Sequence, residues 1–195
     1  MALSKLVAAA GNIATISYTQ DSVTAHATAK YLIDTEGVPM TGQLRKVKWS
    51  PSAIYTTSVT ATSAVGKVIH QPTLISGLTR GTDASGTLHA VRMLDKGYQG
   101  LDVDIILMNA TVTFPSNGSA FSLSNTDADA VFNKVKFYSA DYEDQTLNYL
   151  AIKENLGKTL WPVSGSDDCY VALVYRGTAA KTFGASDLEI TFEVY

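Results

Sequence analysis

The sequence predicts an all-β fold, a sandwich or barrel, on three observations. First, the stretch from Asp187 to Tyr195 alternates without a fault, with Leu188, Ile190, Phe192 and Val194 facing one way and Glu189, Thr191 and Glu193 the other. Such period-two patterning marks a strand with one packed and one wet face. Second, turn signals recur at intervals of roughly 8–15 residues, the rhythm of short antiparallel strands. They are Arg80-Gly81-Thr82-Asp83, Asp95-Lys96-Gly97, Pro115-Ser116-Asn117-Gly118 and Arg176-Gly177-Thr178. Third, no long amphipathic helix alternates with the strands, which argues against a βαβ fold.

The elements follow in chain order. Leu3, Leu6, Val7 and Ala10 stand at i, i+3, i+4 and i+7, and Gly11 stands where a helix C-cap glycine would. This spacing predicts a short helix that must dock onto something, because a helix of that length is unstable alone in water. Residues 13–18 and 25–33 read as strands, and Glu36-Gly37-Val38-Pro39 as a turn. Residues 1–50 are therefore expected to form an N-terminal extension or arm, and residues 51–195 a β-sandwich domain.

Within that domain, residues 88–94 and 135–138 read as strands. Residues 101–108 place Leu101, Val103, Ile105 and Leu107 on one face. The opposite face begins with Asp102 and Asp104 and turns apolar at Ile106 and Met108. Residues 169–176 are apolar on both faces, which predicts a central strand. One helical turn is expected at residues 126–132, capped by Ser124 or Asn125, with Asp127 and Asp129 near its positive end.

Composition bounds the function. A domain approaching 195 residues buries roughly 70% of its unfolded surface, so it needs no disulfide or metal to hold together. The single cysteine, Cys169, cannot form an internal bridge or a cysteine-based zinc site, and in CYVALVY it reads as a buried strand thiol. Net charge is −3 with a pI near 5.5, which gives no electrostatic grip on nucleic acid. The dense basic run Arg45-Lys46-Val47-Lys48-Trp49 reads as a solvated strand face rather than a partner-binding patch. No apolar run reaches the roughly 20 residues a membrane helix requires. The start, MALSKLVAAAG, is too short and too weakly apolar for a signal peptide, so synthesis in the cytosol is expected. Serine and threonine make up 39 residues while charged residues are 17%, as expected of half-exposed strands joined by many turns.

Motifs for chemistry are scarce. His26, His70 and His89 lack the spacing of a metal pair, and the chain carries no GxSxG elbow, P-loop or dinucleotide glycine motif. Carboxylates recur in pairs: Asp102 with Asp104, Asp127 with Asp129, Asp141 with Glu143 and Asp144, and Asp167 with Asp168. A glycosidase needs two carboxylates across a cleft, and a calcium loop needs a set of oxygen ligands; none of these clusters has the EF-hand spacing. Solvated groups that cap helices and turns are the expected reading, with no catalytic residue, metal or cofactor. Trp161, Tyr170 and Tyr175 sit in apolar strand contexts, where core or subunit-interface packing is expected. Trp49 and Trp161 would need to stand exposed on one platform to stack on sugars.

An ordered series of segments resembles a family of small tailed-phage and prophage virion proteins. The series runs Ala64-Val-Gly-Lys-Val, Ser85-Gly-Thr-Leu-His-Ala-Val-Arg-Met-Leu-Asp, Leu101-Asp-Val-Asp-Ile-Ile-Leu-Met-Asn-Ala110 and Ala120-Phe-Ser-Leu-Ser-Asn-Thr-Asp-Ala-Asp-Ala130. It continues with Asn155-Leu-Gly157, Tyr170-Val-Ala-Leu-Val-Tyr-Arg-Gly-Thr178 and Ser186-Asp-Leu-Glu-Ile-Thr-Phe192. The resemblance covers residues 53–195 and leaves the first 50 or so outside. It implies a jelly-roll-like antiparallel β-sandwich and a non-enzymatic structural place in the virion, most often as a decoration protein on the capsid surface. The implied partners are the major capsid protein and further copies of the chain, as a trimer, with no nucleic acid, membrane or small-molecule substrate. Leu3, Leu6 and Val7 are the candidate capsid or subunit contacts; packing on the chain's own sandwich is the alternative. A head-fibre or carbohydrate-binding module is the second functional reading, and a hydrolase using a loop carboxylate pair the third.

Overall fold

The computed structural model describes residues 3–7, 13–20, 23–32, 44–52, 54–55, 58–61 and 65–195, with side-chain detail from Leu44 onward. The chain divides into two units, Met1–Leu44 and Arg45–Tyr195.

In the first unit, β1 (Leu3–Val7), β2 (Ile13–Gln20) and β3 (Val23–Leu32) form an antiparallel meander in the order β1-β2-β3. The two strands expected here are present. The helix expected over the first turn is not, because Leu3–Val7 is a strand. Four apolar positions fit helical spacing, but a helix that short has little to hold it, whereas β2 supplies β1 with a complete ladder. Ala10, Gly11, Ile33 and the turn at residues 36–39 lie outside the described residues.

The second unit opens with β4 (Arg45–Trp49), β5 (Lys67–Ile75), β6 (Gly86–Asp95), β7 (Val103–Met108) and β8 (Val131–Phe137). It continues with β9 (Tyr142–Asp144), β10 (Tyr149–Lys153), β11 (Lys158–Leu160), β12 (Cys169–Tyr175) and β13 (Leu188–Val194). The basic run assigned to the extension is β4. It pairs with β13, so the larger sheet begins at Arg45, ahead of the boundary expected at residue 50. Two antiparallel sheets result, ordered β4-β13-β6-β10-β9, with β11 also on β6, and β5-β12-β7-β8.

The pairing is nested. Setting aside the short β9 and β11, the first strand pairs with the last, the second with the next to last, β6 with β10, and β7 with β8. This is one long antiparallel hairpin rolled up, and rolling brings β13 against β6 and β12 against β7. An eight-stranded, two-sheet roll of this kind is a jelly roll.

The core lies between the sheets. Leu188, Ile190, Phe192 and Val194 of β13 meet Val103, Ile105 and Leu107 of β7 and Val171, Leu173 and Tyr175 of β12 there. A second apolar cluster covers the far side of the smaller sheet, where Ile106, Met108, Ala172, Val174 and Val68 pack under Val112, Phe114, Phe121 and Leu123. Those last four come from residues 109–130, the connection at the hairpin tip. The connection includes α1 (Asn125–Asp129), whose N-cap Ser124 accepts a hydrogen bond from Asp127 N at 3.1 Å. The expected helical turn is thus present but stops at Asp129, and Phe132 belongs to β8. The turn at residues 115–118 is pinned under Tyr55: Gly118 has φ +82°, and a Cβ there would fall 2.5 Å from the tyrosine ring.

Candidate functional site

The sequence-chosen contact residues Leu3, Leu6 and Val7 lie on β1, opposite Tyr18, Thr15 and Ala14 of β2. Strand residues alternate between faces, so Leu3 and Val7 share a parity that Leu6 does not. The single apolar helical stripe is replaced by a strand that ends a three-stranded sheet of order β1-β2-β3.

Within the carboxylate pairs, Asp102, Asp104, Asp127, Asp141 and Asp144 take separate structural partners. Asp102 precedes β7, and its Oδ1 accepts from Ser139 N at 2.7 Å. Asp104, 4% exposed, accepts from Arg176 Nε at 2.7 Å and lies 3.6 Å from Lys134 Nζ. Asp127 is tied to its own N-cap through Ser124 Oγ, and Asp129 is exposed at the other end of α1. Asp141 accepts from Tyr138 N at 2.7 Å and pairs with Lys153. Burial pushes the Asp141 carboxyl up, but the Lys153 ammonium and the Tyr138 N–H outweigh it and hold it below the usual range. Asp167 contributes its carbonyl to Thr79, and Asp168 N donates to Ser166 Oγ. Among the described residues, no group of three or more His, Cys, Asp or Glu could hold a metal ion.

His70 is buried edge-on to Trp49, with ring centroids 5.1 Å apart, and its Nδ1–H donates to Gln71 O at 2.7 Å. Burial lowers its pKa, against the carbonyl's pull, so the ring sits neutral in the core. His89 packs against Tyr195. Burial, with help from Asp168 and Asp167, pushes the Cys169 thiol up to about 12, which keeps it protonated and unreactive. The basic run lies on a strand with its lysines solvated, as expected, and they are also paired: Lys46 bridges Glu193 and Lys48 bridges Glu189, each at 2.9 Å.

The two tryptophans part company. Trp49 is core, whereas Trp161 is 53% exposed, so of the core or subunit-interface packing expected of it, core packing is corrected. Just past β11, it falls where the strand has left the sheet. Tyr175 is buried as expected, its hydroxyl donating to Ala179 O at 2.6 Å, and Tyr170 packs on the second cluster.

Sequence reasoning missed a surface group around the β9–β10 edge. Tyr98 stacks on Tyr149 with centroids 4.1 Å apart and planes 5° from parallel, and its hydroxyl donates to Asp144 Oδ2. Asp144 also accepts from Thr146 N at 2.7 Å; these two donors hold its carboxyl below the usual range. Tyr98 and Thr146 both adopt positive φ, +55° and +74°, a strained conformation for side chains of these shapes. Tyr138, Leu147 and Ile152 are also exposed. The available signal was the concentration of tyrosines at 138, 142 and 149. What hid the group is that Tyr98 reaches it from a different connection, after β6.

No helix among the described residues is long and apolar enough to cross a membrane. No protein-family model, curated protein or solved structure matches the chain.

Proposed function

We propose that this chain is a structural protein of a tailed-phage particle, a capsid decoration protein that binds the outer shell and stabilises it without catalysing a reaction. The observation that supports this reading is the chain's organisation in two units, a three-stranded sheet and a jelly roll. The jelly roll holds its buried Asp104 against Arg176, and meets water with cross-strand Lys–Glu pairs suited to a much-repeated surface module. The 44-residue N-terminal unit carries a three-stranded antiparallel sheet, and a surface that covers one of its faces would add to its stability. A shell, or a neighbouring copy, supplies such a surface, and symmetric repetition converts weak contacts into avidity. The ordered resemblance to small virion proteins supports the same setting, and a trimer bound to the major capsid protein follows from that setting. Jelly rolls serve capsids and lectins alike, so the fold by itself does not decide.

The test is binding of the full-length protein to particles stripped of it. Leu3→Asp with Val7→Asp, and separately removal of residues 1–12, should abolish binding while the sandwich still melts cooperatively. Unchanged binding by both would remove the anchoring role.

A head-fibre or carbohydrate-binding reading is favoured by one observation, the exposure of Trp161. It predicts glycan-array binding lost on Trp161→Ala. Trp49→Ala does not serve this test, because Trp49 packs in the core.

A further inference from the structure

Asp95 ends β6 with its side chain fully buried. Its Oδ2 accepts from Gln99 N at 2.8 Å and Gly100 N at 2.9 Å, which closes the loop of residues 95–100. Among the described residues no donor reaches Oδ1. A buried, unmatched carboxylate oxygen is rare enough to require a cause.

The groups that face it are neutral or acidic, and the two nearest ammonium groups are bonded elsewhere. Asp95 stands opposite Leu188 of β13 and Tyr149 of β10. Asp187 approaches from the segment before β13: Lys96 N donates to Asp187 O at 2.7 Å, and a Cβ on Gly97 would fall 2.7 Å from Asp187 Oδ2. Tyr142, from β9, turns its hydroxyl to Met93 Sδ at 2.9 Å; burial first, then Asp95, Asp102 and Asp141, push its phenol up. The nearby ammonium groups are committed elsewhere, Lys96 to Glu189 at 3.0 Å and Lys181 to Gln99 O at 2.7 Å.

We propose that Asp95 is a proton-held clasp: it folds as the neutral acid with the proton on Oδ1, and losing that proton loosens the loop that carries Tyr98. The proton goes to the oxygen without a donor, while Oδ2 continues to accept from Gln99 and Gly100. Ionisation instead leaves a buried charge near Asp187 that no ion pair among the described residues offsets. Burial raises the Asp95 pKa and the Asp187 charge adds to this, against the pull of the Gln99, Gly100 and Gly97 amides. A carboxyl whose folded pKa lies above its unfolded value takes up a proton on folding. Its contribution therefore favours the closed loop at acid pH and is lost as pH rises through the folded pKa. The loop is poised to respond, since Tyr98 at its tip holds a strained φ of +55° and is kept in place by its stack on Tyr149.

A carboxyl-carbon NMR titration of the full chain tests the clasp. Asp95 should titrate above the ordinary aspartate value of about 3.9. The Gln99 and Gly100 amides and the Tyr98 ring should shift at the same midpoint, and Asp187→Asn should lower that midpoint. Amide exchange at Gly100 should quicken on deprotonation by about tenfold for each pH unit separating the folded and open-loop midpoints. Asp95→Asn should erase the titration; if that variant does not fold, the wild-type and Asp187→Asn titrations decide. An Asp95 midpoint at or below the ordinary value would overturn the proposal, as would Tyr98 and Gly100 signals indifferent to it.

Discussion

The two sheets of the jelly roll treat their outer faces in opposite ways. The outer face of the β4-β13-β6-β10 sheet is wet, and Lys46, Lys48 and Lys96 meet Glu193 and Glu189 across it. The outer face of the β5-β12-β7-β8 sheet is covered by its own connection, residues 109–130, and becomes a second apolar cluster. The same roll therefore produces two kinds of strand: β13 alternates perfectly, while every residue of β7 is buried. Strand pattern reports what lies over each face, and only one of the two sheets is open to water.

Phe192→Ala, between the sheets, should cost about 3–5 kcal/mol by chemical denaturation, and Phe114→Ala, in the cover of the smaller sheet, a smaller amount near 2 kcal/mol, because a surface connection collapses onto a cavity more readily than two sheets do. Equal losses would mean that the cover is as rigid as the core.

The buried charge comes next. Arg176→Met should cost about 2–3 kcal/mol, below the full penalty for an orphaned buried charge because Lys134 remains near Asp104. Adding Asp104→Leu should recover most of that loss. A double variant as unstable as the single would show that the pair contributes more than it costs in desolvation.

On the wet face, Glu189→Gln should cost only about 0.2–1 kcal/mol, and less at high salt. Hydrogen bonds from Lys48 and Lys96 hold the Glu189 carboxyl below its usual pKa. This contribution is therefore present above the unfolded glutamate value and fades as pH falls through the lowered one. The smallest effect is expected at Trp161→Ala, under about 1 kcal/mol in the melting of the free protein, since half the side chain is already in water.

Where water touches a strand, the sequence was legible. β13 could be read nearly to its ends, and β12 was placed centrally because both faces are apolar. β7 was legible as a strand, but not the burial of its second face, where Asp104 is held inside by Arg176 and Lys134 rather than facing solvent. β5 escaped notice because Pro72 interrupts it. The register against β12 shifts at that point, where an edge strand tolerates a proline. β1 was misjudged because five residues do not separate period 3.6 from period 2 when the partner strand is remote in pattern. The tyrosine group at Tyr98 and Tyr149, like the carboxyl of Asp95, depends on segments that meet only in the folded roll.

The decoration role is tested most directly by counting copies. Mass spectrometry of purified particles should find this protein at a fixed simple ratio to the major capsid protein, as symmetric occupancy of a shell requires. Its absence from particles, or a handful of copies unrelated to the shell's symmetry, would contradict the account and return the exposed Trp161 surface to first place.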